Sequence, residues 1–342
     1  MKDAVSERNG ILRATGQLIT VVATVVLISC FSSRLNAENT KEYQCYTIEA
    51  EPVIDGRIED EAWKKCPEAG GFFVLNGGYA NVERQTFFRA FRNKDSIYLA
   101  VRCLEPAAAK IPTTAKDGDF LWNHDSIELF FIPSGAETYR QLIASAGGAR
   151  WNARGEKEGQ VSDWKAGAVI GTNEWTLEVK IPFAVLGKTP ADNEQWKVSV
   201  ARNILADPAV RHTCWTPLKK GFADEKRFGT FTFKTGTLDA NALAEQEKAL
   251  NNDYYTYMLT EIKTLNGKTG DYVETLEQAA KYPAFSGEAG ALKSNWTWVN
   301  NIAGQAAPDF VTLFSGFGSC GNLVQRSNDL KLRFKLDRLL EE

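Results

Sequence analysis

Apolar and polar residues alternate in a series of short segments over residues 43–234. The clearest are Thr86–Arg92, Ser96–Leu104, Ser126–Ile132, 174–181, 196–205 and 229–233. Each is rich in aromatic and β-branched residues and is bounded by Gly, Pro, Asn or Asp, which is typical of half-buried strands. Their number and spacing predict a mainly β protein, an antiparallel β-sandwich over residues 43–234.

A helical pattern replaces this alternation beyond Thr235. The stretch 242–265 carries apolar residues at helical spacing with Glu and Lys between them, and residues 271–282 and 322–340 repeat the pattern. We therefore predict a C-terminal α-helical region over residues 235–342. The glycine-rich segment 316–321 is interpreted as a loop before the last helix. The segment after Pro182 predicts a short helical turn, Phe183–Leu186.

The N-terminus has the pattern of an export signal. Basic residues (Lys2, Arg8 and Arg13) precede an apolar stretch, 18–31, which is shorter than the ~20 residues of a membrane-spanning helix. We expect a signal peptide over residues 1–37 and a periplasmic, outer-membrane lipoprotein or secreted location. Two processing sites compete: residues 35–37 offer a site for ordinary cleavage after Ala37, whereas residues 27–30 resemble a lipobox that would place a lipid anchor on Cys30. A retained anchor is a third alternative.

Composition narrows the classes of partner. The formal net charge of −3 provides no basic surface, so nucleic acid is not expected as a partner. The six cysteines form no CxxC pair and have no histidine at ligand spacing, which gives a zinc site no support. Disulfides among the last five cysteines and buried free thiols both remain open.

The segment 122–131, WNHDSIELFF, carries the most informative chemistry. A loop ending at Asp125 presents Trp122 and is followed by a strand whose period-two pattern separates two faces. Apolar Ile127, Leu129 and Phe131 face one way, and Ser126, Glu128 and Phe130 face the other. An indole beside fixed carboxylates can stack on a pyranose ring and bond its hydroxyls. The alternative is that Trp122 is a core aromatic residue.

Ordered blocks at 52–63, 122–131, 174–183, 214–217 and 227–233 resemble the family 9 carbohydrate-binding modules. The resemblance covers roughly residues 43–234, the strand-rich part of the chain, and implies a β-sandwich. It also implies that Trp122 and Trp215 sandwich a sugar while Glu128, Gln141 and Asn203 bond its hydroxyls. Sugar-binding members carry an arginine where this chain has Ile143, and Arg202 is a candidate substitute.

A hard cation is a second candidate ligand. Asp117, Asp119 and Asp125 offer oxygen ligands within one loop, which suits calcium, although a solvated loop explains the same residues. No other cofactor is expected.

From the sequence we expect an exported, non-catalytic protein with a glycan as partner. The alternatives are an accessory part of a glycoside-hydrolase system and an envelope scaffold that keeps the fold without binding sugar. In the scaffold alternative the helical region would dock a protein partner that the sequence does not identify. A hydrolase would need two carboxylates across one bond, and nothing in the sequence selects such a pair.

Overall fold

The computed structural model describes residues 41–154, 157–158, 163–205 and 210–341. The predicted signal peptide and the candidate anchor at Cys30 lie outside these residues. The strand boundaries match the alternating segments closely. Side chains of a strand point alternately to its two faces, so a strand with one face in the core shows alternating apolar and polar residues. The strands are β1 Glu42–Thr47, β2 Phe73–Val74, β3 Thr86–Arg92, β4 Ser96–Leu104, β5 Ser126–Ile132, β6 Arg140–Ser145, β7 Arg150–Arg154, β8 Lys157–Glu158, β9 Lys165–Ile170, β10 Glu174–Pro182, β11 Gln195–Asn203, β12 His212–Cys214 and β13 Gly229–Lys234.

The strands form a continuous, nearly closed sheet in the order β8-β7-β6-β5-β11-β13-β1-β3-β4-β10-β9, with β12 joining β11 to β2. The prediction of a purely antiparallel sandwich is wrong at one place. Strand β1 runs parallel to both of its neighbours, β13 and β3. The sheet is therefore mixed, and β1 is the seam that links its two halves.

Strand β5 is hydrogen-bonded on both sides, to β6 and to β11. Its Ile127, Leu129 and Phe131 are buried in the core that the two halves of the sheet share. The same core receives Val101 from β4 and Val179 from β10. The predicted alternation of β5 is confirmed, and it leaves Ser126 and Glu128 on the outer face of this half of the sheet.

The helices are α1 Phe183–Leu186, α2 Ala240–Asn266, α3 Gly270–Ala279, α4 Ser286–Gly304 and α5 Phe310–Glu341. Helix α1 follows Pro182 as predicted and ends at Gly187, whose φ of 87° is a left-handed conformation that suits glycine. Asp239 caps α2 by accepting a hydrogen bond from the backbone N–H of Ala242 at 2.8 Å. Helices α2–α5 enclose a second core that includes Met258 and Trp296.

The segment 316–321 is not a loop, and that prediction is wrong. It lies inside α5, where it allows close packing. A Cβ at Gly316 would lie 2.5 Å from Ile302 Cδ1, and one at Gly318 would lie 3.1 Å from Val82 Cγ1. The glycines thus mark where α5 approaches α4 and the sandwich.

Helix α2 attaches the helical region to the sandwich. The Asn251 side chain accepts a hydrogen bond from the backbone N–H of Gly70 at 2.8 Å and donates one to the carbonyl of Glu68 at 2.7 Å. Tyr79 packs against Tyr254 and Tyr257, with ring centroids 4.9 and 4.7 Å away. The interface thus combines buried hydrogen bonds with aromatic packing.

Among the described residues, the cysteines are buried free thiols: Cys45, Cys66, Cys103, Cys214 and Cys320. Burial raises the pKa of each thiol, to about 12 for Cys66, Cys103, Cys214 and Cys320. In the part of the chain that the structure describes, no helix is both long enough and apolar enough to cross a membrane.

The glycines of α5 lead to a stability prediction. Replacing Gly316 with Ala improves helix propensity by about 1 kcal/mol but overpacks the Ile302 contact at a cost of about 1–3 kcal/mol. We expect a net loss of stability of about 1 kcal/mol. Gly321 in the same helix has no atom near its would-be Cβ, so Gly321→Ala should raise stability. Thermal denaturation checks both, and an equal rise in Tm for the two variants would contradict the packing argument.

Candidate functional site

The outer face of β5, β6, β11 and β12 carries a polar cluster, which we define as Ser126, Glu128, Gln141, Asn203 and His212. Register places them together: Ser126 lies opposite Asn203, and Asn203 lies opposite His212. Glu128 lies opposite Ile143, which shares a face of β6 with Gln141. Because paired residues share a face, side chains from four strands meet at one place.

Glu128 is the centre of the polar cluster. Its Oε2 accepts a hydrogen bond from Gln141 Nε2 at 2.8 Å, and its Oε1 accepts one from Asn203 Nδ2 at 2.7 Å. The side chain is only 4% exposed, and both donors are neutral amides. Burial therefore raises the pKa of Glu128, while the two amides oppose the rise. The three residues that the sequence proposed as hydroxyl-binding are thus brought together.

Trp122 stands beside this cluster on the same face. It lies in a short 3-10 turn before β5 and is partly exposed. Its ring meets Trp151 edge-on at 5.2 Å and packs against the exposed Phe120 at 5.0 Å. Trp151 lies opposite Ile143, which lies opposite Glu128, so Trp151 is about 10 Å from Glu128 across two strand spacings. Ile143 is fully buried in one apolar cluster with Trp151, and Trp122 packs against that cluster, which places the indole next to the strand position opposite Glu128.

Trp215 cannot act as the second stacking residue in this conformation, and the expected tryptophan sandwich is not formed. Its side chain is fully buried, edge-on to Phe88 at 5.1 Å and to Phe231 at 5.9 Å. A Cβ at Gly229 would lie 2.5 Å from the Trp215 ring. Trp215 therefore belongs to the core between the two halves of the sheet.

Arg202 does not replace the missing arginine. It lies opposite Ile127 and so points to the inside of the sandwich, away from Glu128. Its side chain is fully buried, where it pairs with Glu105 at 3.3 Å and donates to the carbonyl of Leu104 at 3.0 Å. The polar cluster consequently has no arginine among its members.

The structure does not bring Asp117, Asp119 and Asp125 together as calcium ligands. Asp117 pairs with Arg150 at 2.6 Å, Asp119 accepts a hydrogen bond from its own loop at Lys116, and buried Asp125 accepts one from the N–H of Leu205 at 3.3 Å. Within the described ranges, no group of three or more acidic, His or Cys side chains is placed to hold a metal ion. Each carboxylate instead has a protein partner.

His212, Ser126 and Trp151 also lie at this site, although the sequence did not select them as candidates. His212 Nδ1 lies 3.0 Å from Asn203 Oδ1, and Ser126 Oγ accepts a hydrogen bond from Asn203 Nδ2 at 3.0 Å. The signal was present in part, because Ser126 shares the polar side of β5 with Glu128. For His212 and Trp151 the missing information was strand pairing.

Burial of Trp215 changes what its removal should do. We expect Trp215→Ala to lower the free energy of unfolding by about 3–5 kcal/mol, as for other buried aromatic residues, whereas Trp122→Ala should lower it by about 1 kcal/mol or less. Urea denaturation followed by circular dichroism checks this. Small and equal losses for both variants would show that Trp215 does not anchor the core.

The raised pKa of Glu128 predicts a pH dependence of stability. The folded protein binds the carboxyl proton of Glu128 more tightly than the unfolded chain does. Below the unfolded pKa of about 4.3 the group is protonated in both states and does not lower the free energy of unfolding. As pH rises through the folded pKa the group ionises, and the free energy of unfolding falls. The stability of the wild type minus that of Glu128→Gln should therefore fall as pH rises from about 4 to 7. The exposed Glu137 provides the control, and a flat difference for both variants would contradict the prediction.

Comparisons with known proteins bear on the family of this chain. In solved structures, the chain resembles a proposed carbohydrate-binding protein from Bacteroides uniformis, with 16% identity and a TM-score of 0.47 over 57% of this chain and 99% of that one. It also resembles a family 9 carbohydrate-binding module from Caldicellulosiruptor kristjanssonii. The structure of that module in complex with cellotriose matches with 15% identity and a TM-score of 0.43, over 59% of this chain and 97% of that one. The structure of the module in complex with glucose matches with 15% identity and a TM-score of 0.43, over 58% of this chain and 99% of that one.

No curated protein matches the chain. The family model described as carbohydrate family 9 binding domain-like matches residues 54–236, which is more than half of the chain and contains every strand from β2 to β13. The chain belongs to the carbohydrate family 9 binding domain-like family.

Proposed function

We propose that this protein binds a glycan on the outer face of β5, β6, β11 and β12. Glu128, Gln141 and Asn203 would bond sugar hydroxyls, and Trp122 would stack on the ring. Family membership supports carbohydrate binding. The observation that carries the site is Glu128, a buried carboxylate held by two neutral amides on an outer face beside an indole. Such a group costs stability and is retained where a ligand uses it.

The chemistry of the polar cluster favours an uncharged glycan. Glu128 accepts one hydrogen bond at each oxygen from the protein, so lone pairs remain for hydroxyl donors. The nearest candidate cation of the sequence analysis, Arg202, faces the opposite side of the sheet. A sulfated or carboxylated sugar would bring a second negative charge to a buried carboxylate, and the polar cluster itself contains no cation, since Arg211 lies outside it beside His212.

The loss of the second ring predicts moderate affinity. Stacking that removes about 80 Å² from water contributes about 2 kcal/mol, and each hydroxyl bonded to the carboxylate contributes about 1.5–3 kcal/mol. One ring with two such bonds gives about 5–8 kcal/mol, a dissociation constant between about 200 and 1 μM. A second ring would tighten this by roughly 30-fold.

We propose further that the protein is exported and has no catalytic role. The pattern of residues 1–37 supports export, with lipidation of Cys30 as the competing outcome to simple cleavage. The Glu178 carboxylate on β10 is engaged in structural contacts. Its oxygens accept hydrogen bonds from Gly56 N–H at 2.8 Å and Trp63 Nε1 at 2.6 Å, which tie the segment before β2 to β10.

A scaffold function is the second candidate, and burial of Trp215 favours it. Trp215 lies in the core and Ile stands at position 143, so two of the sugar contacts that the resemblance implies are absent. In that case the sandwich would present the helical region to a protein partner.

The experiment that tests glycan binding is an array of neutral and anionic glycans, followed by calorimetry on the best ligand. We expect wild-type binding to a neutral glycan, a loss of about 10- to 100-fold for Glu128→Gln, and a loss of about 30-fold for Trp122→Ala.

The matched control for charge is Glu137→Gln, which removes an exposed acid and should leave affinity unchanged. Binding that ignores both Glu128→Gln and Trp122→Ala would place the sugar elsewhere. A folded wild type that binds no glycan would favour the scaffold function.

A further inference from the structure

His212 is the member of the polar cluster to which the proposed function gives no role. It opens the short strand β12, its ring is partly buried where it contacts Asn203, and it meets Phe222 edge-on at 5.4 Å. Its Nδ1 lies 3.0 Å from Asn203 Oδ1, and no other described residue bonds the ring. The donor of this hydrogen bond depends on the orientation of the Asn203 amide and on the tautomer of His212.

Ser126 settles the orientation of the Asn203 amide. The Ser126 hydroxyl gives its single proton to the carbonyl of Leu121, at 2.9 Å, so toward Asn203 it can only accept. Asn203 therefore turns its Nδ2 toward Ser126 Oγ at 3.0 Å and toward Glu128 Oε1 at 2.7 Å. This conclusion does not depend on the protonation state of Glu128.

The orientation of Asn203 in turn fixes the tautomer of His212. Asn203 Oδ1 faces the imidazole and can only accept, so the proton lies on His212 Nδ1. Burial and the neighbouring Arg211 lower the pKa of His212, which keeps the ring neutral at pH 7. Of the charged groups near it, Arg211 flanks it on its own strand end and Glu128 lies across the Asn203 amide.

A rotated Asn203 would damage the site. If the amide turned over, its oxygen would face Glu128 Oε1 and Ser126 Oγ, two acceptors, while the N–H groups that now satisfy them would point away. The His212 N–H is the contact that opposes this rotation from the outer side. Preorganised acceptors bind hydroxyls without the cost of ordering them on binding.

We propose that His212 is a positioning residue of the glycan site: it donates Nδ1–H to Asn203 and so holds the amide in the orientation that presents Glu128 to a ligand. The inference rests on the proposed function, since it assigns a residue to that same site. It also identifies β12 as part of the binding machinery, although the sugar contacts that the family resemblance implies all lie outside β12.

Three substitutions separate positioning from direct contact. His212→Ala removes the donor and should weaken binding of the neutral glycan by about 5- to 10-fold, the value of one hydrogen bond. His212→Asn places an amide N–H near the former Nδ1 and should recover most of that loss. His212→Gln reaches only the former Nε2 position and should bind as weakly as His212→Ala.

Calorimetry on these variants has three informative outcomes. Recovery by Asn and not by Gln supports positioning. Recovery by Gln and not by Asn overturns it, because the outward nitrogen would then be the atom that matters. Unchanged affinity in His212→Ala overturns any role for His212 in binding.

A measurement on the free protein keeps this inference separate from glycan binding. The chain has two histidines, so ¹⁵N-histidine spectra with His124→Gln as the assignment variant report on His212 alone. We expect Nδ1 to carry the proton at about pH 7.5, above the ordinary histidine pKa, and to lose that preference in Asn203→Ala. An Nε2–H ring in the wild type would overturn the inference even where glycan binds, and an Nδ1–H ring without glycan binding would assign the failure to the proposed function.

Discussion

The alternation of side chains along β5 is the constraint on which both the core and the site depend. Strand β5 is hydrogen-bonded on both edges, so its register is fixed from two directions. A slip of one residue would carry Glu128 into the apolar core, away from its amide partners, and would turn Leu129 out of that core. The core and the candidate site are therefore specified by the same short strand.

Two buried acids show how differently the protein treats charge on its two sides. Glu105 is fully buried inside the sandwich and is paired with Arg202, so its charge is compensated where no ligand can reach. Glu128 is almost as buried but has only amides for partners. The charge of Glu105 is stabilised by the guanidinium of Arg202. Each oxygen of Glu128 accepts one hydrogen bond from the protein and has a further lone pair that could accept one from a ligand. The proposed function assigns Glu105 to the structure and Glu128 to the ligand on the basis of this contrast.

The sequence predicted what period-two alternation can encode. It identified the strands and the face of β5, and the family resemblance led to Glu128, Gln141 and Asn203, whose distances show that they form one cluster. It failed for Trp215, because a tryptophan after a short strand has the same pattern whether it lies under Gly229 or open to solvent. It failed for the segment 316–321, because glycine signals a loop locally and close helix packing only in three dimensions. The parallel pairing of β1 and the contact of His212 with Asn203 depend on which strands are neighbours, and a single sequence does not state that.

The five described cysteines have a consequence for how the protein is made. Thiolates, not thiols, attack disulfides, and a pKa raised by burial leaves almost no thiolate at neutral pH. In the native state these buried thiols are unreactive, so an oxidising compartment would not change the stability of the folded protein. Before burial the same five thiols are ordinary and reactive. If the chain is exported as proposed, unwanted disulfides can form only between translocation and folding. The yield of native protein then depends on whether the core buries the cysteines before they react with each other.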